Sequence, residues 1–275
     1  CEVVQTYLQN RDVEIIFINA EGGKTDFSQL ENHIDGLAGV IIQSPNYYGI
    51  LEDWTSAKEK LKDSKTLLIA VSDPVSLSII KSPGDCGADI YAGEGQSLGN
   101  YMSYGGPYLG LLAVKSKLVR RMPGRIIGKT FDKEGKEGFV LILQTREQHI
   151  RRENATSNIC TNQGLIALRA TIYMSLMGKA GLPALARMCF EKVQYTARKL
   201  SELKNISFPF GMDFIKEFTI KINHSAEELK LNALKKSIFI NTIDGDKTDS
   251  LIQICVTEKR TIQEIDTLIK FLKTT

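Results

Sequence analysis

Short apolar runs at residues 13–18, 39–43 and 67–71 alternate with helically spaced segments at 26–34 and 54–61. Short, largely apolar runs bounded by turn formers suit buried strands. Their alternation with helices is the rhythm of a parallel sheet with crossover connections. Asp26 with Gln29 three positions on reads as the start of the first of those helices. Beyond Asp73 the texture changes: residues 82–110 are rich in Gly, Ser, Pro and Tyr and include Gly93-Glu94-Gly95-Gln96-Ser97-Leu98-Gly99. Loops of this kind belong at the carboxyl edge of parallel strands, where ligands bind. Strands are predicted to resume at 109–114 and 139–143.

The second half predicts a buried helix over 159–177, with Thr156, Ser157 and Asn158 offering caps. An amphipathic helix follows through Leu185, Met188, Val193, Ala197 and Leu200. The tail alternates again, with a strand at 218–222 and capping boxes at Ser225-x-x-Glu228 and Thr261-x-x-Glu264. The last helix presents one face of Ile262, Ile265, Leu268, Ile269 and Leu272. The pattern gives an α/β large domain with its connecting helix over 1–181 and a small α+β domain over 182–275. The chain opens at Cys1, inside a helical pattern over 2–10 that runs straight into a strand. That opening carries the expectation of an N-terminal truncation.

A net charge of +3 over 275 residues gives no reason to expect nucleic acid. No apolar run approaches the roughly 20 residues that span a bilayer, and no secretory pattern opens the chain. Five scattered cysteines without CxxC or Cys/His spacing suit reduced thiols in a cytoplasmic setting and no metal site.

Three stretches carry chemistry. Asp73 stands at a strand end, where many pyridoxal-phosphate (PLP) enzymes place the carboxylate that holds the pyridine nitrogen; an ordinary turn or cap Asp sits in the same setting. A Schiff-base lysine is expected one strand later, and Gln96 and Ser97 stand there instead. Tyr104, Gly105 and Gly106 lie in a loop whose paired glycines let a backbone approach closely, or simply make a tight turn. Residues 115–152 hold eleven Lys or Arg against four Asp or Glu, among them Arg121, Arg125, Arg146, Arg151 and Arg152, with His149 between. Such a run is either a solvated face or a set of rigid forks for carboxylate or phosphate.

Several phrases go further than motif physics. They are Gly93-Glu94-Gly95-Gln96, Ser103-Tyr104-Gly105-Gly106-Pro107-Tyr108-Leu109-Gly110, and Arg121-Met122-Pro123-Gly124-Arg125-Ile126-Ile127-Gly128. Two more are Arg146-Glu147-Gln148-His149-Ile150-Arg151-Arg152-Glu153 and Ala155-Thr156-Ser157-Asn158-Ile159-Cys160-Thr161-Asn162-Gln163. Together they resemble the glycine cleavage system P-protein family in its α-subunit (subunit 1) form. The match covers essentially the whole chain, including Gln43-Ser44-Pro45-Asn46, but lacks the family's N-terminal portion. The resemblance implies a fold type I PLP-dependent transferase-like large domain, here partial, with a smaller C-terminal domain. It implies a heterotetrameric enzyme that decarboxylates glycine and passes the aminomethyl group to the lipoyl arm of H-protein. A catalytic β subunit would bind the PLP covalently. This chain, inactive alone, would complete the assembly, with Asp73 a vestigial cofactor position. The arginine-rich loops, with Tyr104, Gly105, Gly106 and His149, would support the interface. A self-sufficient PLP enzyme, such as an aminotransferase or desulfurase, would need a lysine facing Asp73. A non-catalytic scaffold would suit the arginine loops equally well.

Overall fold

The computed structural model describes residues 1–143, 148–155, 163–243 and 248–274. The chain divides into two units, Cys1–Thr66 with Met188–Thr275, and Leu67–Arg187.

In the first unit the chain starts with helix α1 (Glu2–Leu8), whose residues are all at least partly exposed. Residues 13–18 are not a strand, contrary to the sequence expectation. They run as irregular chain with Val13, Ile16 and Phe17 exposed, and among the described residues no strand pairs with them. Strands β1 (Ala20–Glu21) and β2 (Lys24–Thr25) form a small antiparallel hairpin. The helix expected over 26–34 is a single 3-10 segment, Phe27–Asn32. Asp26 folds its carboxylate onto the Ser28 amide (3.0 Å) and hydroxyl (2.6 Å), a local turn that competes with α-helix. Strand β3 (Gly39–Gln43) falls where the apolar run predicts. Helix α2 (Trp54–Lys60) is capped by Asp53, which accepts from the Thr55 and Ser56 amides.

The second unit begins with β4 (Leu67–Val71), which pairs in parallel with β5 (Ile90–Glu94). Strand β6 (Gly110–Val114) lies antiparallel to β5, so this part of the sheet is mixed rather than all parallel. The β4–β5 crossover contains only a 3-10 turn, Ser76–Ser78, instead of a full helix. Next come a 3-10 segment, Ser116–Arg121, and the antiparallel ribbon β7 (Ile126–Phe131) and β8 (Glu137–Ile142). Asp132 fixes the ribbon's turn by accepting from the Glu134 and Lys136 amides at 2.9 and 2.8 Å. Helix α3 (Gln148–Arg151) is one turn long. Helix α4 (Gly164–Ser201) spans the two expected long helices and is broken at Gly178 (φ 61°, ψ −169°), but its first half is not the buried helix expected, since Leu165, Leu168, Ile172 and Leu176 are exposed. The expected caps Thr156, Ser157 and Asn158 lie outside the described residues. Val75, Leu98, Ala170 and Ala186 form this unit's buried cluster, with Ile79, Tyr173, Leu182 and Leu185 against it.

From residue 188 the chain is back in the first unit. Strands β9 (Ile206–Ser207) and β10 (Glu217–Ile222), helix α5 (Ala226–Leu234), strands β11 (Asn241–Thr242) and β12 (Leu251–Cys255), and helix α6 (Ile262–Lys273) follow in turn. The sheet order is β11–β12–β10–β9, antiparallel throughout. Period-2 burial along β10 and β12 turns Phe218, Ile220, Ile222, Ile252 and Ile254 onto Val193, Ala197 and Leu200 of α4 and Ile265 and Leu272 of α6. Burying each large side chain of that set contributes roughly 1.5–3 kcal/mol. The 46–51 loop is fastened to the same sheet: Thr219 Oγ1 donates to Tyr48 O (3.0 Å) and the Leu51 amide to Asp213 O (3.0 Å). Gly49 (φ 88°) sits where any Cβ would press on the Glu217 carbonyl. Thr261 and Glu264 form the full capping box expected at α6. At α5, Ser225 Oγ accepts from the Glu228 amide while its own proton goes to Asp249. Lys192 Nζ holds the Glu258 and Arg260 carbonyls, at 2.7 and 2.6 Å, on the approach to α6. Among the described residues no helix is long and apolar enough to cross a membrane.

Candidate cofactor-edge site

Because β4 and β5 run parallel, with Val71 opposite Ala92, their carboxyl ends emerge at one edge. Asp73 follows the first strand, and Gly95, Gln96 and Ser97 follow the second. The structure brings them together: Ser97 Oγ donates to Asp73 Oδ1 at 2.9 Å. The Ser76 amide and hydroxyl both donate to Oδ2 at 2.8 Å. Gln96 turns away, its amide donating to the Asn100 carbonyl at 2.7 Å. Asn100 is buried and donates to Gly95 O (3.1 Å), closing the turn. The Tyr91 hydroxyl donates to Ser72 O at 3.1 Å. Burial, and then the nearby Asp73 charge, push its phenol up to about 12. Gly93 is obligatory beneath this arrangement, since a Cβ would lie 2.8 Å from Ser72 O and against the Tyr91 hydroxyl.

A buried carboxylate lies at the opposite end of β5. Asp89, 2% exposed, takes Lys115 Nζ at 3.1 Å, Lys117 Nζ at 3.3 Å and the Leu68 amide at 3.2 Å. In the sequence Lys115 and Lys117 merely follow the strand expected over 109–114. The pairing of β5 with β6, invisible without the register, turns them onto Asp89. Sequence reasoning also missed Arg169, whose Nε donates to Gly99 O at 2.8 Å and whose guanidinium lies 4.1 Å from the Tyr101 ring centroid.

Tyr104 (φ 45°) and Gly105 (φ 96°) form the tip of an exposed turn closed by the Gly106 amide donating to Ser103 O. Arg121 ends the 3-10 segment before the ribbon, and Arg125 directly precedes β7. His149 and Arg151 lie on α3, and Arg152 (φ 53°) opens the turn after it. All five side chains are exposed, and none of the four arginines forms an ion pair with a described residue. Arg146 lies outside the described residues.

The cofactor edge fits PLP poorly as a covalent guest. Where the sequence reading expects an anchoring lysine stand an amide and a hydroxyl, and both are engaged by this chain's own groups. The Asp73 carboxylate that would meet a pyridine nitrogen is likewise held by Ser76 and Ser97.

The architecture is nonetheless that of the fold type I PLP-dependent enzymes. A NifS-like protein from Rickettsia africae superposes with a TM-score of 0.71 over 98% of this chain and 71% of that one, at 16% identity. Within that class the match sharpens. A crystal structure described as glycine decarboxylase (P-protein) of the glycine cleavage system, in inhibitor-bound form, gives a TM-score of 0.92 at 33% identity. It covers 99% of this chain and 62% of that one. The probable glycine dehydrogenase (decarboxylating) subunit 1 of Desulforamulus reducens is 44% identical over 271 residues, 97% of this chain. The family model for the glycine cleavage system P-protein matches residues 1–272, and the chain belongs to that family. It spans 61% of the length of the Desulforamulus relative.

Proposed function

We propose that this chain serves as a subunit of a glycine-decarboxylating enzyme and completes the assembly around an active site whose cofactor-anchoring lysine lies on a partner β subunit. The observation that carries this reading is the pair at the cofactor edge, Gln96 engaged with Asn100 and Ser97 with Asp73, in a chain of P-protein descent. The name of the Desulforamulus relative, a subunit 1, supports the need for a second chain. When bound in the assembled enzyme, PLP supplies the electron sink for loss of carbon dioxide from glycine. This chain's own share is positional. Ser76 and Ser97 keep the Asp73 carboxylate inside the turn, and the exposed arginines at 121, 125, 151 and 152, with His149, Tyr104, Gly105 and Gly106 and the sequence neighbour Arg146, serve the interface with the partner. Transfer of the aminomethyl group to lipoylated H-protein belongs to the same reading.

Borohydride reduction in the presence of PLP, followed by peptide mapping, tests it. With the two subunits mixed, the pyridoxyl group should map to a lysine of the partner, and with this chain alone no lysine should be labelled stoichiometrically. A stoichiometric adduct on one lysine of this chain would overturn the reading.

A further inference from the structure

We infer that Arg169 is the positioning residue of the cofactor edge, holding the 95–101 turn so that Ser97 stays against Asp73; this deepens, and rests on, the reading of that edge given above. Ser97 reaches Asp73 Oδ1 because the turn after β5 folds back on itself. Inside the turn the Leu98 amide donates to Gly95 O (3.1 Å) and the Asn100 amide to Gln96 O (3.0 Å), while the Asn100 side-chain amide donates to Gly95 O (3.1 Å). These bonds leave one demand unmet. Asn100 is 6% exposed, and its Oδ1 has no donor among the described residues. A buried acceptor without a donor favours any opening that lets water reach it. The turn therefore has to be held from outside itself.

Helix α4 supplies the hold. Leu98 is buried in one cluster with Ala170. Gly99 (φ 80°) lies so close to the helix that a Cβ there would fall 2.6 Å from the Tyr173 ring. Arg169 grips both neighbours of Asn100: its Nε bonds the Gly99 carbonyl, and its guanidinium lies over the Tyr101 ring. The apolar contacts tolerate sliding, whereas the Arg169 bond is directional and fixes where the turn sits on the helix. Among the described residues Arg169 forms no ion pair, so the turn is what its guanidinium engages. No hydrogen bond or ion pair joins Arg169 to Ser97 directly, and an energetic link between them runs through the turn.

The experiment is a double-mutant cycle on the full chain, read by urea denaturation. Ser97→Ala in the wild-type background should lower the folding equilibrium constant about tenfold. In Arg169→Met, where Ser97 has already left Asp73, the same change should lower it about threefold or less. Arg169→Lys, which keeps the charge and a donor for Gly99 O, should bring the tenfold effect back. Amide hydrogen exchange at Leu98 and Asn100 should quicken in Arg169→Met and slow again in Arg169→Lys, with β5 protected as in the wild type. Equal effects of Ser97→Ala in the wild-type and Arg169→Met backgrounds would make Arg169 a fastening between loop and helix with no bearing on the edge, and would overturn the inference. Unchanged exchange in Arg169→Met would overturn it too. Should Arg169→Met fail to fold cooperatively, Tyr101→Leu removes an exposed stacking face instead, and the same cycle with the same two outcomes decides. None of these measurements involves the partner, so failure here leaves the subunit reading to the borohydride mapping.

Discussion

Ser97 Oγ and Asp73 Oδ1 lie 2.9 Å apart, and this contact closes the turn after β5 onto the end of β4. Hydrogen bonds to an ionised group contribute about 1.5–3 kcal/mol. Ser97→Ala should therefore cost about 1.5 kcal/mol, the low end, since Ser76 still holds the other oxygen. Urea denaturation of the chain measures this, and a cost under about 0.5 kcal/mol would show the contact to be idle.

The Asp89 cluster should respond asymmetrically. Removing both cations with Lys115→Met and Lys117→Met leaves a buried carboxylate without its two charge partners, which costs about 3 kcal/mol after allowing for the exposure of the two lysines. Asp89→Asn removes the buried charge itself and should cost only about 1 kcal/mol. The reverse order in denaturation midpoints would contradict the picture.

Alkaline stability should carry a contribution from Tyr91. Its phenol ionises near the ordinary value of 10.0 when unfolded and at about 12 when folded. The unfolded chain then loses its proton first, so this contribution is complete below pH 10 and is lost as pH rises toward 12. Tyr91→Phe should flatten that part of the stability profile, and an ultraviolet phenolate titration should lose its latest-titrating component. An unchanged profile in the variant would rule out the assignment.

On α6, burial grades the expected costs. Leu272→Ala, at a fully buried position, should cost about 2–5 kcal/mol, and Leu268→Ala, at the partly buried margin of the same core, should cost less. Equal costs at the two sites would mean that the helix is rotated from the face described.

Arg125→Ala or Arg151→Ala in the assembled enzyme should weaken association or lower glycine decarboxylation tenfold or more, about 1.4 kcal/mol. Sedimentation and steady-state decarboxylation decide it. Wild-type behaviour in both variants would make the basic stretch a solvated surface.

Much of this architecture was legible because burial writes itself into the chain. The runs Gly39–Gln43 and Leu67–Val71 are strands at the predicted bounds, and the Thr261–Glu264 box opens α6. What failed depended on neighbours. Residues 13–18 have strand composition but no pairing backbone, whereas β5 has Gly93 and Glu94 in a strand that composition argued against. The sequence reading set Asp73 and Ser97 at neighbouring cofactor positions, but not in contact. Their bond depends on the parallel register of two strands whose partnership no local pattern encodes. The strand expected over 139–143 is met by β8, whereas β7, with Gly128, Lys129 and Thr130 amid its apolar residues, forms no apolar run of its own.

The start of α6 is fastened in two chemically different ways. The Thr261 amide and then its hydroxyl keep the Glu264 carboxyl below its ordinary range, so that fastening is present at neutral pH and fails as acid reaches the lowered value. Lys192 instead grips two carbonyl oxygens, which have no proton to gain. Acid can thus undo one latch and not the other. Lysine acetylation, by removing the charge and two of the three donors, would strike at the latch that acid spares.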